Sequence, residues 1–460
     1  MKKITLLLLL TGFALASKAQ SELTLPFLRD VFQSTYIDPT NLPEHTVSIG
    51  IPGVSVYGQF IHNGFVPNNF LKYQQDTMRI NLDNLYKDLN DGNLIYLGEN
   101  LDILHIRFKV NNGFYWFGMR QNLNVSFFYP KNLFSLAIEG NEPFIDKELD
   151  LSNTKLDASL YNEYSFGMSK EIPHWVFGGR ISLLQGLYNL NMDPDALSIK
   201  IDTANYDVTA KANAVIHTAG LSEIITSTGF FEPNVEVNSD RLSDFNYLSD
   251  KLTSFKNKGF ALSGGVAYKL DDKTKFSFSF YNLGFITWKD SVKNYKLKGS
   301  TVYNEVSFIS KYLNDKDINM DSLLNVMRKD FDTTDNRQSY RTWLNPHFNL
   351  TASYDIFRRT SVGLSFSGVF NKQFYPAVTF GLQQGIGRFF NIIGTVSANQ
   401  RTIKNVGLGL VIKPGPLQIF IITDNAYPAV TPMYFTNTNI RVGINLVFGR
   451  VKPADGLPYR

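Results

Sequence analysis

Six histidines, His45, His62, His105, His174, His217 and His347, are the first residues to examine for acid–base or metal chemistry. No two of them stand at metal-ligand spacing, and no HExxH occurs. A lipid-facing hydrolase would need a serine, a histidine and a polar orienting group, and the sequence assembles no such set. His105 lies between Leu104 and Ile106 and so belongs to the polar face of a strand. Asp315, Asp317, Asn319 and Asp321 have the spacing of the first half of a calcium loop. Met320 stands where that loop needs glycine, and Val326 where it needs glutamate, so the stretch reads as a solvated loop. There is no GxGxxG, no phosphate loop and no cysteine. The expectation is a protein with no catalytic residues, no metal and no cofactor.

Two apolar groups invite a binding role instead. Leu82, Leu85, Tyr86 and Leu89 recur at helical spacing, with Leu94, Tyr96 and Leu97 beyond. They read as a loop helix packed on its neighbours or as a greasy entry site for a hydrophobic ligand. Phe27, Leu28, Val31, Phe32 and Tyr36 form the second group, in a stretch that also holds Pro26, Pro39 and Pro43. The prolines exclude a long regular element. The aromatic and aliphatic side chains argue against a disordered tail.

The elements that would position these groups announce themselves by period 2. In Thr438–Phe448, Ile440, Val442, Ile444, Leu446 and Phe448 alternate with Arg441, Gly443, Asn445 and Val447. Lys404–Ile412 and Lys258–Tyr268 repeat the pattern. Successive side chains of a strand leave opposite faces, so these are strands with one oily face. The other face carries small polar residues such as Ser361, Gly363, Ser365 and Ser367. Tight connections such as Gly385-Ile386-Gly387 and Lys413-Pro414-Gly415 alternate with longer ones, including Asn371–Pro376 and Asp424–Asn437. The count comes to about 14 strands, or 16 if Ala196–Thr218 forms an extra outer hairpin. Trp116, Trp175, Trp288, Tyr354, Phe357, Phe370, Phe374, Tyr375, Phe389 and Phe390 fall near strand ends, where aromatics favour a membrane–water boundary.

The N-terminus supplies the setting. Lys2 and Lys3, the apolar run Ile4–Leu10 and the small residues of Ser17-Lys18-Ala19 make a cleaved signal peptide over residues 1–19. That run is too short to span a bilayer, and no later stretch is long and apolar enough for a membrane helix. Aromatic content is high, with 37 Phe and 23 Tyr, while mean hydropathy is only −0.14. A greasy exterior around a wet interior reconciles the two. The net charge of +4 is too small to call for a nucleic-acid partner. The chain is thus read as all-β: a transmembrane antiparallel barrel over residues 47–449, with long outer loops at 61–102, 191–257 and 289–345. Residues 20–46 are read as a luminal hatch, since the interior of such a barrel is wider than its own side chains fill. Residues 450–460 are read as a periplasmic tail. The expected location is the outer membrane of a Gram-negative bacterium, in contact with its lipid.

Asp38-Pro39-Thr40-Asn41-Leu42-Pro43, leading to Val47-Ser48-Ile49-Gly50-Ile51-Pro52, resembles the start of an uncharacterised outer-membrane barrel family of the Bacteroidota. Pro428-Ala429-Val430 and Arg441-Val442-Gly443-Ile444-Asn445 resemble its close. More distantly, the plan is similar to the long-chain fatty-acid transporter barrels. That resemblance implies a barrel that binds or transports a hydrophobic small molecule such as a lipid or fatty acid, with the N-terminal segment as hatch. The alternative is a structural or secretion-accessory barrel that presents its long loops to a protein partner.

Overall fold

A computed structural model describes residues 22–74, 77–139, 142–202, 208–224, 238, 241, 244–303, 331–371, 373–399, 405–434 and 436–451. The signal-peptide stretch, the Asp315–Asp321 motif and the tail beyond 451 lie outside the described residues.

Fourteen antiparallel strands close into a barrel. Strand β1 is interrupted, running Val47–Gly50 and Ser55–His62. The others are β2 Asn93–Val110, β3 Gly113–Tyr129, β4 Lys155–Ile172, β5 Trp175–Met192, β6 Asn257–Lys269 and β7 Thr274–Trp288. Then come β8 His347–Phe357, β9 Thr360–Asn371, β10 Gln373–Ile386, β11 Phe390–Asn399, β12 Asn405–Ile412, β13 Leu417–Thr423 and β14 Asn437–Phe448. Each pairs with its sequence neighbour, and β14 returns to β1 with Val47 opposite Phe448 and Val56 opposite Val442. Closure leaves the sheet no open edge, which a barrel in lipid requires.

The alternation sorts the two faces as the sequence predicts. Phe117, Phe166, Phe177, Phe278, Leu350, Phe380, Ile421 and Val442 are exposed on the outside, on strands all around the barrel. Nothing but hydrocarbon suits a continuous apolar belt of this kind, so the barrel is a transmembrane one. The ends of β1 and β14 and most of the tight turns lie together at one end, here the turn end; the long connections lie at the other, the loop end, which also holds the tight β9–β10 connection. Gly387 and Gly415 take positive φ in two of these turns, at 58° and 69°, where a side chain would be strained.

Four expectations need correction. Asn371–Pro376 is no loop: β9 ends at Asn371, β10 starts at Gln373, and Pro376 lies inside β10 opposite Gly368. The first long loop spans 63–92 rather than 61–102, because β2 runs up to Asn93. A bulge between Asp102 and Leu104 shifts the parity of β2, so the two halves of this strand do not share one alternation. Trp116, Trp288 and Tyr375 are buried rather than exposed at a membrane boundary, whereas Trp175, Phe357, Phe370 and Phe389 are exposed at strand ends. Finally, the inward face is not only small and polar. It buries Arg107, Arg120, Arg180 and Arg441 with Asp102 and Glu163.

Beyond the loop end the sheet continues. Val208–Ala219 pairs with the last residues of β5, and Val292–Tyr303 pairs with Val208–Ala219 along its length. Ala196–Ile201 completes the hairpin with Val208–Ala219, so it extends the wall rather than adding to the fourteen.

Candidate functional site

Residues 22–43 sit inside the barrel, and 44–46 lead out along its turn end to β1. Pro26, Pro39 and Pro43 hold the segment to two short 3-10 turns, Leu25–Phe27 and Phe32–Tyr36. Phe27, Leu28, Phe32, Tyr36, Pro39 and Pro43 are all buried. Leu28 and Val31 pack with Ile393, Val411, Phe420 and Ile422 on β11–β13. Two wall positions are glycine because the segment comes so close. A Cβ at Gly363 would lie 2.6 Å from the Phe27 ring, and one at Gly178 would lie 2.5 Å from the Pro39 carbonyl carbon.

Polar contacts fix its height and register. Asp30 accepts from Asn391 Nδ2 at 2.7 Å and from Lys413 Nζ at 2.9 Å, near the turn end. Gln33 Nε2 donates to Asp102 Oδ2 at 3.1 Å and Ser55 Oγ at 3.2 Å. Asp102 also receives Arg120 Nε at 3.1 Å and Ser55 Oγ at 2.8 Å, so the segment and the wall share one buried carboxylate. Tyr36 lies between two guanidinium groups, Arg120 at 3.4 Å and Arg180 at 5.0 Å from its ring centre. At the far end Thr24 N–H donates to Asp424 Oδ1 at 2.7 Å, and Arg441 pairs with Glu22.

The two anchoring carboxylates respond oppositely to pH. Burial pushes Asp424 up to about 6. Burial acts in the same direction on Asp30, but the Lys413 ammonium overrides it and holds that carboxyl below its ordinary 3.8. A raised carboxyl keeps its proton when docked and loses it when released, so the Asp424 contribution is lost as pH rises through about 6. A lowered one contributes above its ordinary value, so the Asp30 contribution is lost as pH falls below 3.8. Protease cleavage of residues 22–46, followed against pH, should therefore pass through a minimum on the acid side of neutrality. Asp424→Asn should remove the alkaline rise. A flat wild-type profile across that range would contradict the anchoring role.

Above the segment lies a chamber of about 120 Å3. Its floor is Glu22, Tyr36, Ile37, Arg120 and Arg180. One side, from β1 to β4, is polar: Gln59, Asn100, Asn122, Asn124, Ser126 and Ser159. The opposite side is mixed, with Tyr281, Ile286, Leu344 and Val369 among polar Asn282, Thr342, Asn345 and His347. The chamber's aliphatic side chains, Ile37, Ile286, Leu344 and Val369, thus lie away from its polar β1–β4 wall.

The other sequence candidates lie elsewhere. Leu82, Leu85 and Tyr86 occupy a short helix, Leu82–Asp88, capped by Asn81. Leu82 is exposed, Leu85 and Tyr86 are half-buried, and Leu89 just beyond is buried. Tyr86 donates to Glu139 at 2.7 Å, tying this helix to another, Asn132–Glu139. None of the four lines the chamber. The charged floor is what sequence reading missed. Its signal was present as arginine at inward parity, such as Arg441 between Ile440 and Val442.

A closed transmembrane barrel with its own N-terminal segment in the lumen is the class that fold and site define. The chain belongs to a family of unknown function (DUF5723), matched over residues 39–424. No curated protein matches it. Among solved structures it is similar to the toluene transporter TodX of Pseudomonas putida, at 8% identity and TM-score 0.40, covering 94% of each chain. It is also similar to the toluene transporter TbuX of Ralstonia pickettii, at 7% identity and TM-score 0.43, covering 91% of this chain and 95% of that one. A third is a FadL homologue of Pseudomonas aeruginosa, at 8% identity and TM-score 0.35, covering 90% and 92%.

Proposed function

We propose that the protein is an outer-membrane transport barrel in which residues 22–46 act as a hatch. In this reading the cargo is a small molecule with a hydrophobic body. The observation that carries the reading is the chamber resting on that segment, with apolar side chains gathered on the side that faces its polar wall. A molecule with a hydrophobic body would lie against Ile286, Leu344 and Val369, while its polar groups meet Asn100, Asn122 and Asn124. It would enter from the loop end and leave toward the turn end as the hatch moves. The work is binding and passage rather than bond chemistry.

Native mass spectrometry of the detergent-purified protein, with bound small molecules released and identified, tests this. A stoichiometric lipid or other hydrophobic compound, reduced by Asn122→Leu or Val369→Asp, is the expected result. A lumen empty of any such compound would sink it. A second reading, an accessory barrel for a protein partner, draws on apolar residues exposed beyond the loop end: Val430 at 80% and Ile80 at 60%. A co-purifying protein released by Val430→Asp would favour that reading.

A further inference from the structure

The strongest unexplained feature is a set of buried donors below the chamber, near the turn end. Ser48 on β1 stands opposite Arg107 on β2, and Arg107 stands opposite Trp116 on β3. Directly opposed residues of neighbouring strands have their Cβ atoms about 5 Å apart. Three inward side chains thus form a row, and His105, two residues along β2, lies beside it. All four are at most 1% exposed. Among the described residues, Ser48 Oγ, both His105 ring nitrogens, all three Arg107 nitrogens and Trp116 Nε1 are without a hydrogen-bond partner. Arginine and the indole nitrogen can only donate, so they cannot satisfy one another.

What fills the centre of this set is an apolar ring. Phe32 of the N-terminal segment stacks on His105 with centroids 3.8 Å apart and planes at 5°. It lies 5.3 Å from the Arg107 guanidinium carbon and packs in one cluster with Tyr36 and Trp116. A phenyl face gives a cation some attraction but accepts none of its hydrogen bonds in earnest. The acids nearest in effect are engaged elsewhere. Asp30, whose charge reaches Arg107, accepts from Asn391 and Lys413. Asp102, whose charge reaches His105, is held by Arg120, Ser55 and Gln33.

We propose that Ser48, His105, Arg107 and Trp116 form an oxyanion-binding site, covered by Phe32 when the N-terminal segment is docked. A phosphate or carboxylate group meets this chemistry: several acceptor oxygens on one centre, facing a guanidinium, an indole N–H and a hydroxyl. The oxyanion is either a free ion or the head group of a lipid, and the chemistry is the same. Binding requires Phe32 to withdraw, so occupancy is linked to the position of the segment. The site does not depend on what the chamber carries.

The test uses the full chain in detergent, with Phe32→Ala to uncover the donors. Equilibrium dialysis with labelled inorganic phosphate should show one ion per chain. Adding Arg107→Met should weaken that binding roughly tenfold or more, the cost of a charge-assisted hydrogen-bond pair. Mixed micelles holding a short-chain phosphatidate form a parallel arm. Binding to inorganic phosphate identifies the free ion, and binding to phosphatidate alone identifies a head group; either supports the site. No Arg107-dependent binding in either arm overturns it. The wild-type background supplies a second readout that does not need Phe32→Ala to fold. Arg107→Met alone should slow protease cleavage of residues 22–46, because it replaces an unpaired buried cation with an apolar side chain. Faster cleavage would mean that Arg107 is already satisfied, and would also overturn the proposal.

Discussion

Removing residues 22–44 is expected to turn a closed barrel into a continuously conducting one. The wall does not need the segment to close, since β1 begins at Val47 and its pairing with β14 lies wholly outside the deletion. What the segment does is occupy the interior: Leu25, Leu28, Val31 and Phe32 are 0% exposed, and so is Gln33. Fourteen strands enclose more space than inward side chains fill, and here many of those side chains are serine, asparagine or threonine. The deleted protein, reconstituted in planar bilayers, should show stable open-pore current where the full chain shows none. Gly178→Val should give a milder form of the same change. Its new methyl groups would collide with Pro39, so the segment should dock poorly and the current should flicker. A deleted barrel that folds and still carries no current would mean that the wall itself, or the loop-end connections, seal the lumen.

How much of this could be read from the chain depended on which force shaped each residue. The lower parts of the strands face lipid, and lipid enforces strict alternation, so β6, β12 and β14 stood out from period 2 alone. Above the membrane that constraint lapses. The upper half of β2 and the pairing of Val292–Tyr303 with Val208–Ala219 were accordingly hidden, and the bulge at Asp102 shifted the one pattern that might have revealed the former. The N-terminal segment was legible through its own composition, as aromatics between prolines. Its contacts were not, because Gln33 meets Asp102 and Asn445 across 69 and 412 residues of sequence. The helix at Leu82 was legible as a helix, but its periodicity could not say whether it faced a ligand or Asn132–Glu139.

The charged layer of the lumen was the largest omission, and it carries the second large expected effect. Asp102→Ala should lower the unfolding free energy by about 3–5 kcal/mol, the usual cost of breaking a buried ion pair by removing one partner. Asp102 is 2% exposed, and four groups converge on it: Arg120, Gln33, Ser55 and, at 3.8 Å, Arg441. Its loss leaves Arg120 buried beside Tyr36 with no counter-charge in hydrogen-bonding contact, and removes the acceptor that holds Gln33. Two consequences should therefore appear together: earlier loss of the compact form on heating, seen as gel mobility, and faster cleavage at residues 22–46. The double variant Asp102→Leu/Arg120→Met separates charge from packing. Exchanging a whole buried pair for apolar side chains is often close to neutral, so heat resistance should return. Protection of the segment should not, because Gln33 still lacks its carboxylate. If the double variant restored both, the Gln33 contact would be incidental and the anchoring of the segment would rest on Asp30, Asp424 and the fit of Phe27 and Pro39 against their glycines.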